Sequence, residues 1–346
     1  MKTYKIAVLP GDGIGPEVIG AALKVLKAVE EKSKTYKLNL VWGEAGFNCI
    51  AKYGTNVPPQ TIDMLKTTAA CLKGPMTTPE EAGAPPSAAL TIRKLFNLYA
   101  NVRPCFSLPN VPSLKPNIDL IIVRENTEGM YSNIEFELEK GLAVAMRVIS
   151  RKASERVARF AFKLADQRKR HLSYAHKANI LRRTDGVFNQ AVLDVAKEFP
   201  GVRVDDFHID AMAMELIKNP GNFDVIVTTN LFGDIISDEA AELVGGLGVA
   251  AGANIGENYA MFEPVHGSAP KLSGQNKVDP IAAIFAGKML LDYLGEKDSA
   301  LIVERAVSQV LRDGKVLTYD LGGKAKTSDA AEEIVGKIGN VKRNPD

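Results

Sequence analysis

Apolar residues along the chain gather in two alternating patterns. Tyr4 to Leu9 is a short apolar run stopped by Pro10-Gly11, and Pro16 stands where the first turn of a helix tolerates a missing N–H. From Val18 onward Ile19, Ala22, Leu23, Leu26 and Val29 recur at helical spacing, which predicts a helix with one face packed on a sheet. Leu38 to Trp42, Ile118 to Val123, Arg203 to Ile209 and Asp224 to Thr228 are rich in branched residues and read as strands. Stretches at about 152 to 168, 185 to 198, 211 to 218 and 235 to 244 read as helices between the later ones. Strands alternating with helices predict an α/β protein with a largely parallel sheet.

Two places break this rhythm. Between Glu128 and Ser150 the pattern is strand-like with no helix, as in a protruding hairpin whose edge must pair with something. A second subunit would supply that pairing, making the segment a dimerisation arm. Gly245 to Gly256 is glycine-rich, Phe262 to Pro270 reads as an irregular loop, and helices resume at about 280. There is no internal repeat and no low-complexity segment.

A length of 346 residues suggests two domains or one large α/β unit. The chain is 46% hydrophobic and 24% charged, and 43 basic against 41 acidic residues leave a net charge of +2. That balance lacks the basic footprint that phosphate neutralisation requires, so nucleic acid is excluded as a partner. Cys49, Cys71 and Cys105 stand far apart without a CxxC, which suits a reducing cytosol rather than a disulfide framework. No window approaches the roughly 20 apolar residues of a membrane helix. The expectation is a cytoplasmic protein without membrane contact.

Four groups of residues carry candidate chemistry. Gly11-Asp12-Gly13-Ile14-Gly15 follows the first strand and invites a dinucleotide reading, but Pro16 closes a GxGxG where the Rossmann fingerprint needs GxGxxG. A tight packing turn and a different kind of nucleotide site both remain open. Arg93, Arg103 and Arg124 fall near element ends, and converging guanidinium forks bind di- or tricarboxylates; scattered surface arginines are the alternative. Asp234 and Asp238 lie four apart, so on a helix their carboxylates share a face and repel unless a cation intervenes. With a third oxygen from Asp210, and the rest from substrate and water, the set suits Mg²⁺ or Mn²⁺. Ordinary acidic enrichment of a first helical turn is the competing explanation. Lys177 ends a strand-like run, a position where a lysine can be tuned for base work. The four histidines show no zinc spacing, and neither a GxSxG elbow nor a Walker A run occurs.

Leu9 to Glu17, Arg124 to Tyr131, Gly233 to Glu239, and Glu263 to Pro270 together resemble the four signature stretches of the β-decarboxylating dehydrogenases, the isocitrate, homoisocitrate and 3-isopropylmalate dehydrogenases. The resemblance covers essentially the whole chain. It implies the α/β isocitrate/isopropylmalate dehydrogenase-like fold, distinct from Rossmann, with two α/β domains about a central cleft. Residues 1–98 and 245–346 would form the large, cofactor-binding domain. Residues 99–244 would form the small domain for substrate, metal and dimerisation, with the arm at about 128–150.

The resemblance also implies roles. Arg93, Arg103 and Arg124 would grip substrate carboxylates, Tyr131 would be the catalytic acid, and Lys177 with Asn179 would reach in from the partner subunit. Asp234 and Asp238, with Asp210 from the partner, would ligate Mg²⁺ or Mn²⁺. Lys177, aided by Asp210, would take the hydroxyl proton. The coenzyme, NAD or NADP, would lie against Ile14, Glu263 and the loop His266, Gly267, Ser268, Ala269 to Lys271. Asp279 stands where an adenine-contacting asparagine is usual, and Lys271 with Tyr319 resembles the phosphate-binding pair of NADP enzymes. Ser87 and Leu90, just before Arg93, would shape substrate choice: Ser87 resembles the serine of isocitrate enzymes, Leu90 an isopropyl-contacting leucine, while Ala89 and Pro86 depart from both patterns. Homoisocitrate, isocitrate and 3-isopropylmalate are the expected substrates, homoisocitrate first, acted on by a homodimer or higher homo-oligomer. Two other readings stand beside this one: a metal-dependent lyase or isomerase without nicotinamide, and a regulatory subunit of a hetero-oligomeric isocitrate dehydrogenase.

Overall fold

In the computed structural model, which describes residues 1–79, 81 and 84–340, the apolar run at the start forms β1 (Lys2–Leu9), exposed at first and ending on four consecutive buried residues. Residues 341–346, which the expected large domain includes, lie outside the described residues. A glycine turn leads into α1 (Gly15–Ser33), with Pro16 in its first turn and Val18, Ile19, Ala22, Leu26 and Val29 on its buried face. Then follow β2 (Tyr36–Trp42), α2 (Phe47–Tyr53), α3 (Pro59–Lys66), β3 (Ala70–Lys73) and α4 (Ala88–Leu95). The middle of the chain forms β4 (Ala100–Phe106), β5 (Asp119–Glu125), β6 (Gly129–Glu139), β7 (Leu142–Val148), α5 (Arg151–Asp166), β8 (His171–His176), α6 (Thr184–Ala196), β9 (Arg203–His208), α7 (Ile209–Lys218), β10 (Val225–Thr228) and α8 (Asn230–Leu243). It closes with β11 (Ala251–Ile255), β12 (Ala260–Pro264), α9 (Ile281–Tyr293), α10 (Lys297–Asp313) and α11 (Thr327–Asn340).

Ten strands make one sheet in the order β2-β1-β3-β12-β11-β4-β5-β10-β8-β9. The first five strands of that order come from the two ends of the chain and the other five from its middle. Each half is parallel towards its outer edge, as the βα alternation predicts. The three central pairings, β12–β11, β11–β4 and β4–β5, are antiparallel, so the sheet is mixed. β11 and β12 also correct two expectations. The glycine-rich stretch contains a strand, and Phe262 to Pro264 is paired strand rather than loop. At five residues each, with one β-branched residue, Ile255, between them, the two strands carry almost no branched-residue signal.

The sheet sets where side chains are delivered. β5, β10, β8 and β9 run parallel and end on one edge, where loops and helix starts place Arg124, Asn230, Lys177 and Asp210. On the other half, α9 is buried from Ile281 to Gly287 and packs between β11, β12, α1 and α10. No described helix is long and apolar enough to cross a membrane.

The β6–β7 ribbon stands apart from the sheet and is exposed on both faces. Phe136, Leu138, Leu142 and Met146 are 47, 62, 48 and 51% exposed. Arg147 near its end is anchored: it pairs with Asp185, donates to Thr229 Oγ1 at 2.8 Å and lies over the Phe232 ring.

The glycine turn after β1 is a packing device. Its backbone amides are consumed internally, Asp12 N bonding Pro75 O at 2.8 Å and Ile14 N bonding Ser268 O at 2.9 Å. Gly13 has φ +58°, and a Cβ there would fall 1.9 Å from the Ser268 carbonyl oxygen. Asp12 is buried and accepts from the amides of Phe47, at the start of α2, and Thr77. The amides of Asp12 and Ile14 therefore cannot cradle a phosphate in the Rossmann manner; the turn locks α1 to the 266–271 loop. Replacing Gly13 by alanine forces a left-handed residue and a backbone clash together, so Gly13→Ala is expected to destabilise the fold by about 3 kcal/mol or more. Chemical denaturation midpoints of the two proteins check this; a shift equivalent to under about 1 kcal/mol contradicts the interlock.

Candidate active site

Arg124 is the penultimate residue of β5 and only 1% exposed. A guanidinium out of water needs acceptors on every face, and α8 provides them. Arg124 Nε and Nη2 donate to Asn230 Oδ1 at 2.9 and 2.7 Å, and Nη1 pairs with Asp234 Oδ1. α8 can approach this closely because Gly233 lacks a side chain: a Cβ there would be 2.7 Å from Arg124 Cβ.

Arg103, in the middle of β4, meets the same helix. Its Nη1 donates to Ser237 Oγ at 2.6 Å and Asp238 Oδ1 at 2.9 Å, and its Nη2 lies 3.2 Å from Asp234 Oδ1. Tyr131, on β6, donates to Asp234 Oδ2, and its ring lies under the Arg124 guanidinium, 4.8 Å away. Asn230, Asp234, Ser237 and Asp238 thus present one face of α8 to two arginines and a tyrosine.

α8 begins at Asn230, earlier than the pattern predicts, and its first turn holds no acidic residue. Asp234 and Asp238 therefore lie beyond the helix start, and enrichment of a first turn does not explain them. Burial raises the Asp234 carboxyl, but Arg124 and Arg103 outweigh it and hold it below the usual range. Asp238 is pushed up, by burial first and by Asp234 as well, with Arg103 only partly compensating. Its carboxylate is half exposed and retains unrelieved like-charge repulsion, an environment that a cation would correct. Burial raises the Tyr131 phenol, keeping its proton in place at neutral pH.

Arg93 lies in the last turn of α4 and turns instead to Glu263 Oε1 at 2.9 Å. Glu263, buried on β12, also meets Lys73 at 2.7 Å and Asn254 Nδ2 at 2.7 Å. Burial alone would raise its carboxyl, yet Lys73 and Arg93 hold it well below the carboxylate range. Ser87 precedes α4 and makes no helix-capping hydrogen bond with its side chain, while Leu90 is partly buried on that helix.

Lys177, Asn179 and Asp210 lie elsewhere. Lys177 follows β8 and bonds Asp210 Oδ1 in the first turn of α7, while Asn179 is exposed in the turn between. Lys177 lowers the Asp210 carboxyl. His176 orients this turn: it accepts from Ala178 N at Nδ1, so Nε2 carries the proton given to Asp206. Neither Lys177 nor Asp210 bonds Asp234 or Asp238, and among the described residues no three acidic, histidine or cysteine side chains converge to hold a metal. One chain presents two carboxylates of the expected three.

Of the expected coenzyme residues, Ile14 and the 266–271 loop meet at the glycine turn, while the backbone N–H of Asp279 bonds Asp320, the neighbour of Tyr319. Ile14 is buried, Ser268 Oγ lies 2.6 Å from Thr77 Oγ1, and Ala269 is left-handed at φ +38° before the turn carrying exposed Lys271. Gly267 is exposed, and burial lowers the His266 imidazole. Asp279 is buried and accepts from Ile281 N, its Oδ2 has no partner, and burial with Asp320 nearby raises its carboxyl far above the usual value. Tyr319 is 42% exposed and is covered by Lys277, 4.6 Å above its ring, rather than by Lys271. Lys73, Asn230, Ser237, Asn254 and Lys277 went unrecognised in the sequence; Asn230 and Ser237 share the helical phase of Asp234 and Asp238, the one available signal.

The chain matches the family model described as isocitrate/isopropylmalate dehydrogenase over residues 5–334. It is 45% identical to the homoisocitrate dehydrogenase of Methanocaldococcus jannaschii, over 96% of this chain and 97% of that one. It is 48% identical to the isocitrate/homoisocitrate dehydrogenase of Thermus thermophilus, over 96% and 98%. Its fold superposes on the isocitrate dehydrogenase of Methylococcus capsulatus with a TM-score of 0.93 and 43% identity, covering 97% of this chain and 99% of that one. With the signature stretches, the sheet and the arginine–aspartate cluster all in place, the chain belongs to the isocitrate/isopropylmalate dehydrogenase family of decarboxylating oxidoreductases.

Proposed function

We propose that the chain, as a homodimer, carries out the metal-dependent oxidative decarboxylation of a 2-hydroxy di- or tricarboxylic acid, homoisocitrate ahead of isocitrate and 3-isopropylmalate, with NAD or NADP. The observation that carries this reading is the α8 face, where Asp234 and Asp238 are balanced against Arg103 and Arg124. In the chain alone these charges neutralise one another. A divalent cation would take the carboxylates while the substrate's own carboxylates take the arginines, so both exchange partners without leaving a buried charge unpaired. Hard carboxylate oxygens suit Mg²⁺ or Mn²⁺. The third ligand would be the partner's Asp210.

The missing ligand and base argue for a shared site. Lys177 and Asp210 lie on the surface next to exposed Ile180, Met214 and Ile217, which are 69, 58 and 54% exposed, and α8 shows Ile235 at 59%. With the apolar faces of the β6–β7 ribbon, these form surface that a second copy would cover. Residues 1–98 with 245–346, and 99–244, would act as two domains flanking the cleft.

When bound, the cation supplies Lewis-acid polarisation and the nicotinamide accepts the hydride. The protein's own groups do the rest. Arg93, Arg103 and Arg124 orient the carboxylates. Lys177, backed by Asp210, takes the hydroxyl proton from the partner's side, and Asn179 steadies the substrate there. Tyr131, whose phenol keeps its proton, returns one to the carbon that loses carbon dioxide. Ile14, Glu263, the 266–271 loop, Asp279 and Tyr319 would line the coenzyme groove, Ser87 and Leu90 the variable end of the acid. A mostly apolar end discriminates by only about 1 to 3 kcal/mol per methylene, so more than one acid is expected to turn over. Steady-state rates for the three acids, each with NAD⁺ and NADP⁺, test the assignment; absence of reduced nicotinamide with all six combinations overturns it.

Three outcomes follow. EDTA should abolish activity and Mg²⁺ or Mn²⁺ restore it, and full turnover by metal-free enzyme contradicts the metal role. Inactive Lys177→Ala and Arg124→Ala proteins, mixed under verified subunit exchange, should regain part of the activity, because a mixed dimer carries one intact site; no recovery places the site within one chain. Lys271→Asp should raise the Michaelis constant for NADP⁺ by roughly ten- to a hundredfold while leaving that for NAD⁺ within a few-fold, if the ammonium meets a 2′-phosphate. An unchanged coenzyme ratio in that variant shows Lys271 facing solvent.

A further inference from the structure

Between Arg103 and Glu263 runs a line of buried amides. Asn101 on β4 and Asn254 on β11 are register partners across the antiparallel pair, and both are 0% exposed. Arg103 Nε donates to Asn101 Oδ1 at 2.8 Å, Asn101 Nδ2 to Asn254 Oδ1 at 2.8 Å, and Asn254 Nδ2 to Glu263 Oε1 at 2.7 Å. The second Asn254 donor reaches Met261 O at 3.2 Å. The direction of every bond is forced. A guanidinium only donates and a carboxylate only accepts, so each amide must turn its oxygen towards Arg103 and its nitrogen towards Glu263. A hydrogen-bonded chain with a cation at one end and an anion at the other polarises along its length, and a dry interior strengthens it.

Stability alone does not call for this arrangement, since apolar residues of the same size would fill the β4–β11 seam without desolvating two amides. What the chain does accomplish is to fix the Arg103 guanidinium, through its Nε, relative to the Glu263 carboxylate on the other side of the seam. We propose that Asn101 and Asn254 are positioning residues that hold the acid-binding arginine and the coenzyme-facing glutamate in register, so that binding of the acid and of the coenzyme support each other. This rests on the site reading above, in which Arg103 meets the acid and Glu263 faces the nicotinamide coenzyme.

Asn126 supplies the control. It is equally buried and donates to the same Asn254 Oδ1 at 3.0 Å, but it contacts neither Arg103 nor Glu263 among its hydrogen bonds, its other donor going to Leu98 O. Asn101→Ala and Asn126→Ala therefore create comparable cavities, and only the first cuts the line.

Calorimetric dissociation constants of isocitrate in the presence of Mg²⁺, with and without NAD⁺ or NADP⁺, test the proposal on the dimeric enzyme. Asn101→Ala should weaken isocitrate binding by about tenfold, as expected for a lost bond to a charged group, and abolish the gain that coenzyme gives it. Asn126→Ala should change neither by more than about twofold. Equal effects of the two variants, or unchanged isocitrate binding in Asn101→Ala, overturn the proposal. If Asn101→Ala fails to fold, Asn254→Asp decides instead. Its added carboxylate faces Glu263, whose Oε1 also takes Arg93 and whose Oε2 takes Lys73, and bridges the line only when protonated. Isocitrate binding by this variant, relative to the unsubstituted enzyme at each pH, should recover as pH falls; a constant ratio overturns the proposal. Arg103→Gln separates the two levels. If it leaves isocitrate binding unchanged, the site reading falls and the relay with it, whereas a loss in Arg103→Gln without one in Asn101→Ala removes the relay alone.

Discussion

A guanidinium taken out of water can only donate, and the placement of Arg124 commits its surroundings to supply acceptors. With 1% of its surface exposed, it draws Asn230 and Asp234 onto itself, and that in turn fixes how α8 packs on β5 and why position 233 is glycine. Once α8 is seated, Ser237 and Asp238 fall on Arg103 without further provision. Tyr131 closes the cluster from β6, placing the root of the exposed ribbon at the same point as the charges. The cluster is thus the solution to a solvation problem, in which two guanidiniums are balanced against the carboxylates of one helix face.

The second organising feature is the mixed centre of the sheet. Parallel edges on both sides follow from βα alternation, but the middle is stitched by antiparallel β12, β11, β4 and β5. That stitching brings residues far apart in the chain side by side: Lys73, Arg103 and Glu263 share one polar row across the seam. Charged and amide groups replace the branched residues expected of a sheet interior, and each finds a partner on the sheet or on α8.

What the sequence revealed and what it concealed follow from the range of the forces involved. Helical periodicity placed α1, α5, α6 and α7 well, because a buried face repeats locally. The aspartates of α8 were legible by spacing, and the signature stretches identified the family. β3, β11 and β12 escaped notice because strands of four or five residues carry too little local pattern, and their residues are selected by neighbours distant in sequence. The glycine turn was ambiguous for the same reason: whether its amides face a phosphate or the carbonyls of Pro75 and Ser268 depends on loops far along the chain. Arg93 was grouped with the other arginines by residue type, by its place near an element end and by the resemblance; its direct partner in the structure is Glu263.

The four side chains of α8 that meet Arg103 and Arg124 stand at positions 230, 234, 237 and 238, a single stripe with the phase of a helix. Each residue turns an α-helix by about 100°, so one residue inserted or deleted before Asn230's stripe ends would swing every later member off the arginines at once. Lengths in that helix are therefore frozen as a block, whereas the hairpin end of the β6–β7 ribbon, whose Gly141 has open space around it, can change length without touching the charges. Variation by insertion is channelled to the exposed tip of the ribbon and away from the charged face of α8.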